Sequence, residues 1–181
     1  MPGPAFRRGE TVAIHPITDD DLGFLQRNWN DPAVRSGMTT AFPETRTETE
    51  ESHETYSEDE SSESLLIVPR DAEDPVGTVI AFDIDPTHGT AELAAWVTPD
   101  AQGEGYATEG TRLLLGYLFD ERRLAKVLAR ALVTNGASRS VLEKLGFRTE
   151  AIQREEKYVD GEHVDVARYT MLAREWRSEE H

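Results

Sequence analysis

Cysteine is absent from the 181 residues. Disulfides, thiolate nucleophiles and thiolate metal sites are therefore excluded. Lysine is nearly absent: Lys126, Lys144 and Lys157 are the only three, and the other sixteen basic residues are arginines. No stretch of 18 or more apolar residues occurs, so no transmembrane helix is expected. No apolar stretch follows Arg7 and Arg8 either, which argues against a secretory signal peptide. A cytoplasmic protein with no membrane partner is the expectation. The five histidines (His15, His53, His88, His163 and His181) have no metal-ligand spacing, and no metal site is expected.

Acid is abundant instead. Thirty-five Asp and Glu face nineteen Lys and Arg, for a formal net charge of −16. Such a chain repels itself at low ionic strength. It also lacks the basic footprint that nucleic-acid binding needs. The composition suits a salt-rich cytoplasm, where the Debye length falls to about 3 Å at 1 M; plain solubility is the simpler alternative.

The chain length favours one domain spanning 1–181. Thr11 to His15 alternates as a strand. Thr18-Asp19-Asp20-Asp21 opens a helix with Leu22, Leu25 and Trp29 on one face, and Asp31-Pro32 stops it. Glu44 to Ser64 carries nine acidic residues and one basic one. It reads equally as an acidic loop or as an exposed helix with a thin face of Thr49, His53 and Tyr56. Leu65 to Val68, Val76 to Ile84 and Ala91 to Val97 read as strands. A helix from about Gly105 to Phe119 buries Ala107, Leu114 and Leu118. Lys126 to Val133 is a further strand. Asn135 caps a helix that stops at Gly146. Phe147 to Tyr158 and His163 to Leu172 form a hairpin around Asp160-Gly161.

The chemistry concentrates in Val97-Thr98-Pro99-Asp100-Ala101-Gln102-Gly103-Glu104-Gly105-Tyr106-Ala107-Thr108, where a strand passes into a helix. Two glycines let backbone N–H groups converge, and the helix N-terminus adds partial positive charge. The product is an anion site suited to a pyrophosphate. A P-loop would need Gly-Lys-Ser/Thr, which is absent, and a dinucleotide fingerprint would need Gly or Ala in place of Thr108. A tight glycine turn without ligand is the bland alternative. The third nucleotide-site pattern, Gln/Arg-x-x-Gly-x-Gly/Ala, is met by Gln102, Gly105 and Ala107. It resembles the coenzyme A loop of GNAT acetyltransferases. A second segment strengthens the likeness: Asn135-x-x-Ser138, a short helix, then Leu145-Gly146-Phe147 resembles the closing motif of the RimJ/RimL branch. Val12 to Arg35 and Arg154 to Trp176 also resemble that branch.

The resemblance implies the GNAT α/β fold, a mixed twisted sheet of about seven strands with helices on both faces. It implies acetyl-CoA as co-substrate and direct transfer to a primary amine. The backbone from Gln102 through Gly103, Glu104, Gly105, Tyr106 and Ala107 to Thr108 would hold the pyrophosphate. The backbone of Trp96, Val97 and Thr98 would bond the pantetheine arm. Asn135 would contact the arm while also capping its helix. Ser138 would protonate the leaving thiolate, or be a solvated first-turn serine. Glu92, on the side of Ala94 and Trp96 by alternation, would be the general base or a surface charge, with Glu155 and Glu156 beside Tyr158 as alternatives. A protein N-terminal amine has a reference pKa of about 8, so water could serve instead. The expected acceptor is a protein N-terminal amine, as on a ribosomal protein. A small amine or amino acid, or a non-catalytic acyl-CoA-binding module, are the alternatives. A homodimer is compatible with all of these.

Overall fold

The computed structural model describes residues 3–38 and 42–179, without the side chains of 56–58 and 179. His181 and the Tyr56 side chain, both named above, lie outside the described set.

The elements run in chain order as β1 (Arg7–Arg8), β2 (Val12–Pro16), α1 (Leu22–Trp29), α2 (Pro32–Met38), α3 (Arg46–Glu58), β3 (Glu63–Pro69), β4 (Gly77–Asp85) and β5 (Thr90–Val97). They continue as α4 (Tyr106–Gly116), β6 (Lys126–Leu132), α5 (Gly136–Lys144), β7 (Arg148–Val159), β8 (Glu162–Leu172) and α6 (Ala173–Glu179). The sheet has eight strands in the order β1-β2-β3-β4-β5-β6-β8-β7, one more than expected. The extra one, β1, is too short to carry a hydrophobic period.

Among the described strand pairs every one is antiparallel except β5 with β6. A parallel neighbour requires a crossover, and α4 makes it. One sheet face, with Val79, Ala91, Leu93, Val127, Ala129, Ala167 and Tyr169, packs on Leu114, Leu115 and Leu118 of α4 and Leu142 of α5. On the other face Leu66, Val68 and Trp96 pack on Leu22 and Leu25 of α1 and Val34 of α2. Ala107 is only half-buried, because it belongs to the first turn of α4, beside the loop.

Two helices, α2 and α6, escape the sequence reading. Pro32 does not merely end α1; it starts α2, since a proline at the first helical position gives up an N–H that has no partner there anyway. The acidic stretch resolves in favour of a helix. Thr45 and Glu48 form a reciprocal capping box. Thr49 is buried, and His53 half-buried, on its inner side. The final hairpin turns as expected, with Asp160 at φ 50° and Gly161 at φ 91°.

Candidate functional site

The parallel pair carries the site. β5 pairs with β6 only from Thr90–Lys126 to Leu93–Ala129. β5 nevertheless continues to Val97 and β6 to Leu132. The two strands therefore splay, leaving facing backbone edges without a neighbour. Thr98 N–H donates to Val76 C=O at 2.7 Å, and Ala101 N–H donates to Thr98 C=O at 2.9 Å. Because bonding direction alternates along a strand, Trp96 also faces β4, while Ala95 and Val97 face the gap. Of the Trp96, Val97 and Thr98 backbone expected to bond the pantetheine arm, Trp96 and Thr98 face β4 instead, and Val97, together with Ala95, faces the gap.

The loop beyond β5 leads into α4. Gly103 has φ 84° and Gly105 φ 83°, conformations that any Cβ would strain, and a Cβ on either would meet nothing within 4 Å. Gln102, Gly103, Glu104 and Gly105 are exposed; Tyr106, Ala107 and Thr108 are half-buried. Gly105 is the N-cap of α4 and offers no side chain to it. The first bond of the helix runs from Glu109 N–H to Gly105 C=O, 3.0 Å. The N–H groups of Tyr106, Ala107 and Thr108 precede it and have no intrahelical acceptor. An exposed loop with oriented N–H groups, next to unpaired strand edges, fits a pyrophosphate continued by an extended amide-bearing arm.

α5 follows β6 after a link of three residues, on the other side of the gap. Asn135 Oδ1 accepts from Ser138 N–H at 3.1 Å, so Asn135 is the cap of this helix. A Cβ on Gly37 of α2 would lie 3.4 Å from Asn135 Nδ2, which brings α2 to the same opening. Ser138 is half-buried, and its hydroxyl makes no hydrogen bond among the described residues. It is free to give or accept a proton.

Glu92 lies on the opposite sheet face from the α4 core, one residue before the splay. Its side chain is 12% exposed and its Oε1 is 3.1 Å from Arg130 Nε. Burial holds its carboxyl above the ordinary value, against the pull of the Arg130 guanidinium. A carboxyl raised in this way is a better proton acceptor near neutrality. Glu155 and Glu156 are exposed on β7, Glu155 at a bulge with φ 52° and its N–H on Asp165 Oδ1 at 2.8 Å. The sequence reading missed Arg130 and Arg168, whose strand pairing (Arg130 opposite Arg168) no local pattern reveals. It also missed Phe24, stacked on Trp96 with ring centroids 5.6 Å apart.

Of the histidines, His15 Nδ1 is 2.7 Å from Gly3 C=O and His163 packs edge-on against Tyr158. Among the described residues no group of three His, Asp or Glu is placed to hold a metal ion. No described helix is long and apolar enough to cross a membrane.

Residues 11–148 match the family model described as acetyltransferase (GNAT) domain. The chain belongs to the GNAT acetyltransferase family. It is accordingly an N-acetyltransferase that draws its acetyl group from acetyl-CoA. It is 36% identical over 103 residues to a Bacillus subtilis (strain 168) protein named "Putative ribosomal N-acetyltransferase YdaF"; the match covers 57% of this chain and 56% of that one, so it spans just over half of that relative. It is 24% identical over 169 residues to the spermidine N(1)-acetyltransferase of Escherichia coli (strain K12), covering 93% and 90% of the two chains. In fold it is similar to spermidine N-acetyltransferase from Vibrio cholerae, solved in complex with CoA and spermine. That likeness has a TM-score of 0.88 at 23% identity and covers 93% of this chain and 99% of the other.

Proposed function

We propose that the acceptor is the N-terminal amine of a protein, in the manner of the RimJ/RimL branch, and that the whole chain serves this reaction as one domain in a salt-rich cytoplasm. The observation that carries the reading is the open splay between β5 and β6. It lets an extended acceptor chain approach from the α1–α2 face while the cofactor approaches from the loop before α4. The similarity to a relative named for ribosomal N-acetylation supports the same acceptor.

In this reading the N–H groups from Gly103 to Thr108 hold the pyrophosphate of acetyl-CoA, since the Gln102 N–H is donated to Pro99 C=O at 3.2 Å. Ala95 and Val97 extend the sheet onto its pantetheine arm. When bound, acetyl-CoA supplies the activated acyl group. Glu92, directly or through water, takes the proton from the acceptor ammonium. Ser138 returns a proton to the departing thiolate, and Asn135 fixes the first turn on which Ser138 stands.

Spermidine-like polyamines are the second reading, favoured by the names of the fold neighbours. Incubating cell extract with isotopically labelled acetyl-CoA and reading products by mass spectrometry decides between them. Label on protein N-termini is expected. Label confined to polyamines would replace the first reading with the second.

A further inference from the structure

The sheet face around Glu92 departs from the charge of the rest of the molecule. In a chain of net charge −16, this face gathers Lys126, Arg130, Arg168 and Lys157 against Glu92, Glu150 and Asp83. Two of the three lysines of the sequence are among them. On β5, β6 and β8 the odd-numbered residues face the α4 core, so Glu92, Lys126, Arg130 and Arg168 line the opposite face; Lys157, displaced by the bulge in β7, pairs with Val164 on that same side.

The internal pairing leaves cationic groups over. Lys126 Nζ is 2.6 Å from Glu150 Oε1, and Arg130 Nε is 3.1 Å from Glu92 Oε1. Arg168 Nε is 3.2 Å from Glu150 Oε2, yet this buried nitrogen makes no hydrogen bond, because distance alone is met and the angle is not. No hydrogen bond involves the terminal nitrogens of Arg130 or Arg168 among the described residues. Their side chains are 42% and 36% exposed. Lys157 on the final hairpin acts on Glu92 electrostatically and adds a cation with no ion-pair partner of its own within the described set.

We propose that the acceptor polypeptide carries an acidic residue just after its reactive amine, and that Arg168, assisted by Lys157, receives that carboxylate. The inference rests on the acceptor being a protein N-terminus. Neighbouring strands lie about 4.8 Å apart, and Arg168 is two strands from Glu92 and two residues further along, since it faces Arg130 while Glu92 faces Leu128, so the two backbones are about 12 Å apart. An extended chain advances about 3.3 Å per residue. An amine beside Glu92 therefore sets its third or fourth residue over the Arg168 backbone, and the long Arg168 side chain covers the difference for the third. A guanidinium with free terminal nitrogens meets a carboxylate through two parallel N–H donors. A polyamine would instead face Arg130, Arg168 and Lys157 here.

The test compares peptides that share an N-terminal serine followed by Asp-Glu, Asn-Gln or Lys-Lys, with spermidine as a fourth acceptor. Rates are read at about 1 M KCl, where the charge of the whole molecule is screened beyond about 3 Å. The acidic peptide is expected to exceed the neutral one about tenfold in kcat/KM, and the basic peptide to be the poorest. Arg168→Gln should bring the acidic-to-neutral ratio to about one, Arg168→Lys should restore part of it, and Lys157→Gln should lower it by a smaller factor. An unchanged acetyl-CoA thermal shift identifies variants that are folded. Equal rates on acidic and neutral peptides, or a preference that survives Arg168→Gln, overturns the inference and leaves peptide acetylation standing. Turnover of spermidine with none of any peptide overturns both the inference and the N-terminal reading.

Discussion

Ser138 owes its position to one hydrogen bond. The Asn135 cap holds the first turn of α5 against the gap, and the Ser138 hydroxyl is left without an internal partner. Ser138→Ala keeps the backbone N–H that Asn135 binds, so the cap survives. Turnover should fall by about 10²–10⁴-fold if the hydroxyl delivers a proton, with acetyl-CoA affinity nearly unchanged by calorimetry. Equal turnover would make Ser138 an ordinary first-turn residue. Glu92 makes a different prediction. Its carboxyl is raised above the ordinary value of 4.5 by burial, partly countered by Arg130. A raised acid stabilises the fold most when protonated. That contribution is present below the ordinary pKa and is lost as pH rises through the raised one. The wild type should therefore lose melting temperature relative to Glu92→Gln across that interval. The acid limb of kcat/KM, which reports the free enzyme's base, should vanish in the variant. A limb retained in height and midpoint would assign the proton to water or to Glu155 and Glu156.

At the scale of elements, the loop before α4 and the splay act together. The loop needs two left-handed residues, and Gly103 and Gly105 supply them. Gly105→Ala should cost about 1 kcal/mol through backbone strain, lowering Tm by about 2–4 °C, and should keep a thermal shift with acetyl-CoA because its Cβ meets nothing. Gly105→Asp adds a carboxylate at the anion site and should abolish the shift. A full shift in Gly105→Asp would remove the loop from the cofactor site. The same scale shows why α3 was undecided in the sequence. A thirteen-residue helix with one buried side chain among those described, Thr49, has almost no apolar period. The signal that was present is Thr45-x-x-Glu48, a capping box, and it marks the observed start.

For the whole molecule the net charge of −16 sets the expected response to salt. At low ionic strength the Debye length is about 30 Å at 0.01 M, long enough for the carboxylates of α3 and of the strands to repel across the protein. Acetyl-CoA is an anion, so the same field slows its approach. Both Tm and kcat/KM should rise from about 0.05 M to about 2 M KCl as screening shortens to a few ångströms. A Tm that stays flat or falls over that series would leave an acidic enzyme without salt adaptation.

The sequence by itself determined what depends on neighbours a few residues apart. The turn at Asp160–Gly161, the Asn135 cap, the glycine loop and the periodic cores of β3 to β6 are written in local chemistry: which residue tolerates positive φ, which side chain reaches a free N–H two or three residues on, which period suits a half-buried strand. Tertiary structure alone decided the rest. Whether β5 and β6 part after Leu93 and Ala129, which of Ala95, Trp96, Val97 and Thr98 face the gap, and which charges stand beside Glu92 depend on pairings between residues far apart in the chain. Arg130 and Arg168 are unremarkable arginines in sequence and become neighbours because β8 inserts between β6 and β7. Register is a collective choice made by the packed core, and a shift of one residue would turn every one of these side chains to the other face.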